Sequence, residues 1–303
     1  MHFVLVDFNN IFFRAFFIGD KIYTNRQHPI GAACTFIQYM NTLVRTLAPT
    51  HIALARDMGK QTWRHKLYHE YKQHRTKTDP ELAAQFCLGP YIADFLEMPL
   101  VGFDEFEADD CIATLALEAQ KFANVTIVST DKDLLQLLND KVRIYNPHTK
   151  VFHYKNYIGE KFQIKPHQIR DYLSLIGDSA DNLPGVPGIG PKSAVEILQY
   201  CNTTEDIFAN LQHYKKSVRE KLQSHEEKFK LMHKLVGLIT DISALRLNHP
   251  EEMIRYKAKA YHVTNLIKIK EYLEERLDAD CVISSFIAEN INNESAHIDN
   301  NSI

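Results

Sequence analysis

Four apolar runs of strand length, residues 3–6 (FVLV), 51–55 (HIALA), 99–103 (PLVGF) and 124–129 (NVTIVS), are separated by longer segments with helical spacing. Parallel strands need long crossovers, so this alternation predicts an α/β fold, a mostly parallel sheet with helices on both faces. That fold class limits where a ligand can sit: in the crevice outside the carboxyl ends of the strands. Asp7, Asp57 and Asp131 all fall there.

They belong to a larger acidic set that adds Glu107, Asp109, Asp110, Asp133, Asp178 and Asp181. Carboxylates this dense repel one another unless cations hold them, and all-oxygen ligand sets suit hard ions such as Mg2+ or Mn2+. Two ions about 4 Å apart can grip a phosphodiester between them, and they need acids from distant parts of the chain. A single Asp after a strand is as often a helix cap. The runs EADD and TDKD would be wasteful as caps, so the set as a whole reads as a metal centre acting on phosphate esters. Residues 107–120 (EADDCIATLALEAQ) are expected to form a helix with Ile112, Leu115, Ala116 and Ala119 on its buried stripe and Glu107 and Asp110 on one face.

The chain's formal charge is -3, so contact with nucleic acid must come from local patches. Residues 60–77 provide one: Lys60, Arg64, Lys66, Lys72, Arg75 and Lys77 stand against Glu70 alone, interleaved with Trp63, Tyr68 and Tyr71. Cations that follow phosphates and rings that stack on bases suit a single-strand channel. The alternative is a solvated helix face. Residues 185–193 (GVPGIGPKS) are not a Walker A loop, because Pro191 stands where the lysine belongs, and Ser193 replaces the third glycine of a dinucleotide fingerprint. What remains is a tight turn into a helix, in which Gly188, Ile189, Gly190, Pro191, Lys192 and Ser193 can hold a phosphate backbone without reading bases. Five scattered cysteines, none in a C-x-x-C pair, argue against a disulfide framework and a zinc site. The N-terminus lacks a secretory pattern, and no apolar stretch approaches the ~18 residues of a membrane span. A cytoplasmic protein with no membrane partner is expected.

The opening DFNNIFFRAF, the segment RDMGKQTWRHKLYHEYKQHR, and the three pieces EADD, STDKD and GDSADNLPGVPGIGPKSA together resemble the flap endonuclease and 5'-3' exonuclease family, from Asp7 to about residue 250. That family includes phage 5'-nucleases and the nuclease domain of bacterial DNA polymerase I. The resemblance implies that Asp7, Asp57, Glu107, Asp109 and Asp110 hold a first metal and Asp131, Asp133, Asp178 and Asp181 a second. It implies that Lys72 and Arg75, with Arg64, serve the scissile phosphate, and that Arg14 and Tyr71 contact DNA. Some relatives bind K+ through main-chain carbonyls, here at Leu175, Ile176, Pro184, Val186 and Ile189. Arg56 departs from the family, standing where relatives often carry an aromatic residue. A stand-alone nuclease, without a following polymerase domain, is expected.

The expected organisation is a PIN-like nuclease domain over 1–160 with a helical arch at about 58–100, then, where the pattern changes to short helices broken by Pro and Gly around Lys165-Pro166, a helix-hairpin-helix (H3TH) module over 161–280; the Asn-rich composition of the tail over 281–303 predicts disorder. The expected activity is monomeric, Mg2+-dependent cleavage of DNA at 5' flaps, nicks or branched ends in replication and repair, with Mn2+ able to substitute. Two rivals remain. A PIN-type ribonuclease would share the acidic sheet without needing the basic arch or hairpin, and a non-catalytic junction-binding protein would use its acids structurally.

Overall fold

A computed structural model describes residues 1–59, 61–259 and 265–280. Lys60 of the basic segment, Cys281 and the expected tail over 281–303 lie outside the described residues. The described residues form two compact units: Met1–Arg56 with Lys77–Val101 and the described residues from Leu247 onward, and Asp57–Thr76 with Gly102–Arg246. The expected boundary at 160 falls within the second unit, in the helix Asn156–Phe162. Residues 58–100, expected as the arch, form three short helices, Trp63–Leu67, Pro80–Phe86 and Gly89–Phe95.

In the first unit β1 (His2–Asp7) pairs in parallel with β2 (His51–Ala55), Val4 opposite Ile52 and Asp7 opposite Ala55. β2 pairs in parallel with β3 (Leu100–Val101), which is shorter than the expected run at 99–103. Phe3, Val4, Leu5 and Val6 are all fully buried. Burial on both faces explains why this run is continuously apolar instead of alternating. Phe8, Phe12 and Phe36, from the helices Phe8–Ile18 and Gly31–Leu47, form a ring cluster with centroids 4.8–5.8 Å apart.

In the second unit β4 (Asn124–Val128) pairs in parallel with β5 (Val142–Asn146), Ile127 opposite Ile144. β6 (Val151–His153) returns antiparallel to β5. The β5–β6 hairpin has no counterpart among the expected strands. The helix Ala108–Ala119 forms where its spacing predicts, with Ile112, Leu115, Ala116 and Ala119 buried. Beyond residue 160 the unit is helical: Ile169–Ile176 and Glu226–Val236 lie side by side, the latter burying Phe229, Met232 and Leu235. No helix among the described residues is long and apolar enough to cross a membrane.

Candidate active site

Asp57 stands two residues beyond β2, and its Oδ1 accepts the Ala108 amide at 2.7 Å, anchoring the start of the Ala108–Ala119 helix. Solvent reaches this side chain, yet the surrounding protein desolvates the carboxyl enough to raise its pKa, partly offset by the Ala108 amide and Lys72. The helix then places Glu107 at its N-cap and Asp109 and Asp110 in its first turn, where exposed amides favour negative charge. Asp109 is half-buried and Asp110 fully buried.

Asp110 is saturated with donors. Arg64 gives it a two-pronged grip, Nη1 to Oδ2 at 2.8 Å and Nη2 to Oδ1 at 2.9 Å. Trp63 Nε1 (3.0 Å) and the amides of Glu107 (3.2 Å) and Ile239 (2.9 Å) complete the set. Arg64 spends its remaining N–H groups on Glu107 Oε2 and on the carbonyls of Leu235 and Gly237. Burial disfavours its charge, but Asp110 and Glu107 outweigh that and raise its pKa. The structure therefore corrects two expectations. Arg64 is buried in the protein and not available to a scissile phosphate, and Asp110 has no oxygen left over for a metal. A guanidinium fork matched to a carboxylate in a dry site explains both.

Tyr71 differs in the same way. It is buried, and its hydroxyl donates to Glu107 Oε2 (3.0 Å) and Asp181 Oδ2 (3.1 Å), so it presents no face for a base. Burial, then the charges of Glu107 and Asp181, push its pKa far up and keep it a donor. Its neighbour Lys72 has φ +57°, a left-handed conformation uncommon for a side-chain-bearing residue. The turn is held there by Lys72 N–H to the Asp181 carbonyl (3.0 Å) and by Asn182 Nδ2 to the Glu70 carbonyl (2.7 Å). Strain of about 1–3 kcal/mol is sustained only where surrounding bonds over-determine the geometry, as here. The result aims two cations at the acids: Lys72 Nζ lies 2.5 Å from Glu107 Oε1 and 3.9 Å from Asp181 Oδ2, and Arg75 Nη2 lies 2.6 Å from Asp181 Oδ1.

Asp131 and Asp133 follow β4, and Asp131 Oδ1 accepts the Asp133 amide at 2.8 Å. Asp178 and Asp181 sit on a loop pinched by Gly177 (φ +77°) and Gly185 (φ +61°). A Cβ on Gly177 would come within 2.3 Å of the Leu183 carbonyl, and one on Gly185 within 2.5 Å of the Gly177 amide. Only glycine closes this neck. The four carboxylates feel one another: burial first, then Asp131, Asp181 and Asp178, push Asp133 up to about 8. Asp131 is also raised, by burial and then by Asp181 and Asp178. Asp181 moves the other way, because Lys72 and Arg75 together outweigh its burial.

Among the described residues no three acidic, histidine or cysteine side chains are gathered closely enough to hold a metal ion as they stand. Repelling groups lower their energy by pairing with the chain's own cations, Glu107 with Lys72 and Arg64, Asp181 with Arg75, and Asp178 with Lys132 at 3.2 Å. The donor set still fits a hard divalent ion, being all carboxylate oxygen. Lys132 is not among the expected site residues; a basic residue between two acids is the signal the sequence carries for it. Asp7 and Arg14 belong to the first unit. There Asp7 Oδ1 caps the Phe8–Ile18 helix at the Asn10 amide (3.1 Å), and Arg14 is half-buried. Arg56, in the same unit, lies over Gly89, where a Cβ would sit 2.5 Å from its Nη1.

Of the hairpin residues, Gly188 (φ +76°), Gly190, Pro191 and Lys192 are exposed and Ser193 half-buried, at the start of the helix Pro191–Leu198. At the five expected K+ positions, the Leu175 carbonyl accepts the Val186 amide (2.9 Å) and the Val186 carbonyl the Ile189 amide (3.0 Å).

The elevated Asp133 gives a pH prediction. An unfolded aspartate loses its proton near pH 4, whereas metal-free folded Asp133 keeps it to about pH 8. Between those values the folded state binds more protons, so stability falls as pH rises, by roughly 2–5 kcal/mol in total. The Tm of EDTA-treated protein is expected to be several degrees lower at pH 8.5 than at pH 6, with Asp133→Asn flattening the slope. A flat wild-type profile would contradict the crowding of these acids.

Comparison with known proteins agrees with this architecture. A family model described as the 5'-3' exonuclease N-terminal resolvase-like domain matches residues 2–163, and one described as the 5'-3' exonuclease C-terminal SAM fold matches 164–261. A 5'-3' exonuclease of Aquifex aeolicus (strain VF5) is 34% identical over 272 residues, 89% of this chain and 90% of that protein. A DNA polymerase I of Bacillus caldotenax is 35% identical over 244 residues, 78% of this chain, which spans only 28% of that protein's length. The fold is also that of the T5 D15 protein co-crystallized with metal ions, with TM-score 0.66 at 21% identity, covering 96% of this chain and 99% of that one. With adjoining family models over residues 2–261 and a relative matched along most of its length, the chain belongs to the 5'-3' exonuclease family.

Proposed function

We propose that this chain is a structure-specific 5' nuclease that hydrolyses DNA phosphodiesters at 5' flaps, nicks or ends during replication and repair. The observation that carries the proposal is the mutual crowding of Asp131, Asp133, Asp178 and Asp181, with Lys72 and Arg75 held against the same cluster by a strained turn. The ligands are assigned to two Mg2+ ions, for which Mn2+ would substitute. Asp57, Glu107 and Asp109 serve one, and Asp131, Asp133, Asp178 and Asp181 serve the other. When bound, the ions supply a hydroxide nucleophile and neutralise the departing oxyanion. K+ is assigned to the main-chain carbonyls of Leu175, Ile176, Pro184, Val186 and Ile189.

The chain's own residues do the rest. Lys72 and Arg75 exchange their carboxylate partners for oxygens of the scissile phosphate, which lets them stabilise charge that develops during cleavage. Tyr71, locked to Glu107 and Asp181, fixes the position of both acids and of the turn that carries Lys72. Arg64 and Asp110 hold the Ala108–Ala119 helix so that Glu107 and Asp109 face the reaction. The glycine hairpin grips the adjoining duplex through its backbone, and the nuclease acts as a monomer in the cytoplasm.

The test compares 5'-flap, 3'-flap, nicked and linear duplex DNA, and an RNA flap, with and without Mg2+. Cleavage of the 5'-flap DNA, dependent on Mg2+ and leaving a 5'-phosphate, is expected. Preferred cleavage of the RNA flap would make the chain a ribonuclease, and tight flap binding without cleavage in Mg2+ or Mn2+ would make it a junction-binding protein.

A further inference from the structure

The hairpin has a second side. Lys221, on the helix Lys216–Ser224, donates from Nζ to the Gly188 carbonyl at 2.9 Å. A Cβ built on Gly188 would lie 2.7 Å from that same Nζ, so the ammonium and the bare hairpin backbone share one small patch of surface. The lysines around it are committed elsewhere: Lys215 pairs with Glu196 at 3.3 Å and Lys216 lies 3.9 Å from Glu220. Lys221 has no carboxylate within ion-pair distance among the described residues, and its ammonium keeps two N–H donors beyond the one given to Gly188.

Gly190 supplies an independent observation. Its φ is -102° and its ψ -177°, extended backbone open to any residue, and nothing lies within 4 Å of where its Cβ would be. Glycine is one of several residues favoured at a helix N-cap, and packing leaves room for any of them. A polymer backbone arriving from outside selects glycine among these, because a side chain would hold it away from the amides at the start of the Pro191–Leu198 helix.

We propose that Lys221 is a DNA-backbone contact, the second cation of a two-sided phosphate seat formed by the hairpin tip, with Lys192, and the Lys216–Ser224 helix. The inference rests on the nuclease reading and adds a residue to it. The Gly188 bond does two jobs in the free protein: it holds the tip in its left-handed turn and keeps the ammonium extended, so little side-chain freedom is lost when a phosphate arrives. Because the contact is to phosphate, it adds affinity for duplex without sequence preference.

The test is anisotropy binding of a 5'-flap duplex in EDTA, over a salt series, with the wild type, Lys221→Gln, Lys221→Arg and Gly190→Ala. Lys221→Gln is expected to bind about 5- to 10-fold more weakly at 0.1 M salt and to reduce the slope of log K against log salt by about 1. Lys221→Arg keeps the charge and is expected to retain the wild-type slope. Gly190→Ala is expected to melt with the wild type yet bind several-fold more weakly. If Gly190→Ala loses affinity while Lys221→Gln keeps the wild-type slope, Lys221 is not a contact, although the hairpin still holds duplex. A lowered Tm in Lys221→Gln with an unchanged slope would make Lys221 a packing residue and overturn the inference likewise. Wild-type protein that binds no duplex would overturn both this inference and the nuclease reading.

Discussion

Changing Asp131 to Asn is expected to abolish flap cleavage while making the metal-free protein more stable at pH 8. The two effects share one cause. Asp131 lies in the field of Asp133, Asp178 and Asp181, and burial adds to the cost of keeping it charged. Asn removes that charge but keeps an oxygen to accept the Asp133 amide, so the local turn survives. Relief of repulsion should lower Asp133 towards the ordinary carboxylate range and raise the Tm of EDTA-treated protein by a few degrees. On the proposed assignment of Asp131 as a ligand to a catalytic cation, its loss removes transition-state stabilisation worth several kcal/mol, a fall in kcat of about 10²- to 10³-fold or more. Steady-state kinetics on a 5'-flap substrate and paired melting curves read the two effects separately. Wild-type kcat in the Asp131→Asn protein would remove this residue from the mechanism.

Arg64→Ala is expected to do the opposite, lowering stability sharply under all metal conditions. The variant leaves Asp110 charged, fully buried and short of its two-pronged partner, and it strips Glu107 and the carbonyls of Leu235 and Gly237 of a donor. Breaking a buried pair from one side costs about 3–5 kcal/mol. In a chain of this size that corresponds to a Tm fall of roughly 6–15 °C. Added Mg2+ should not restore it, because no donor is returned to Asp110. Arg64→Lys should recover little, since an ammonium cannot reproduce the fork. A Tm within 2 °C of wild type would mean that the Arg64–Asp110 pair is not what holds the first turn of the Ala108–Ala119 helix.

How much of this was legible depends on what kind of signal each residue leaves. The 108–119 helix could be read because its apolar stripe has a 3.6-residue period, and β1 because four adjacent apolar residues admit no other exposure pattern. The acidic loops could be read because Asp is dense there and Gly177 and Gly185 punctuate them. Pairing is what composition hides. Arg64, Tyr71 and Lys72 stand in one basic, aromatic stretch and look alike, yet the first two are interior and the third partly so. Burial of a charged side chain depends on partners more than 30 positions away, Asp110 for Arg64 and Glu107 for Lys72. Lys132 was masked by the acids that flank it, and β5 and β6 are too short for their alternation to stand out.

A nuclease of this kind requires these acids to bind divalent cations together. Calorimetric titration of Mn2+ into the metal-free protein at pH 8, beside Asp181→Asn, tests this most directly. Two ions per wild-type chain, with at least one lost in the variant, is the predicted result. No Mn2+ binding at millimolar concentration, or a variant that binds as many ions as the wild type, would contradict it.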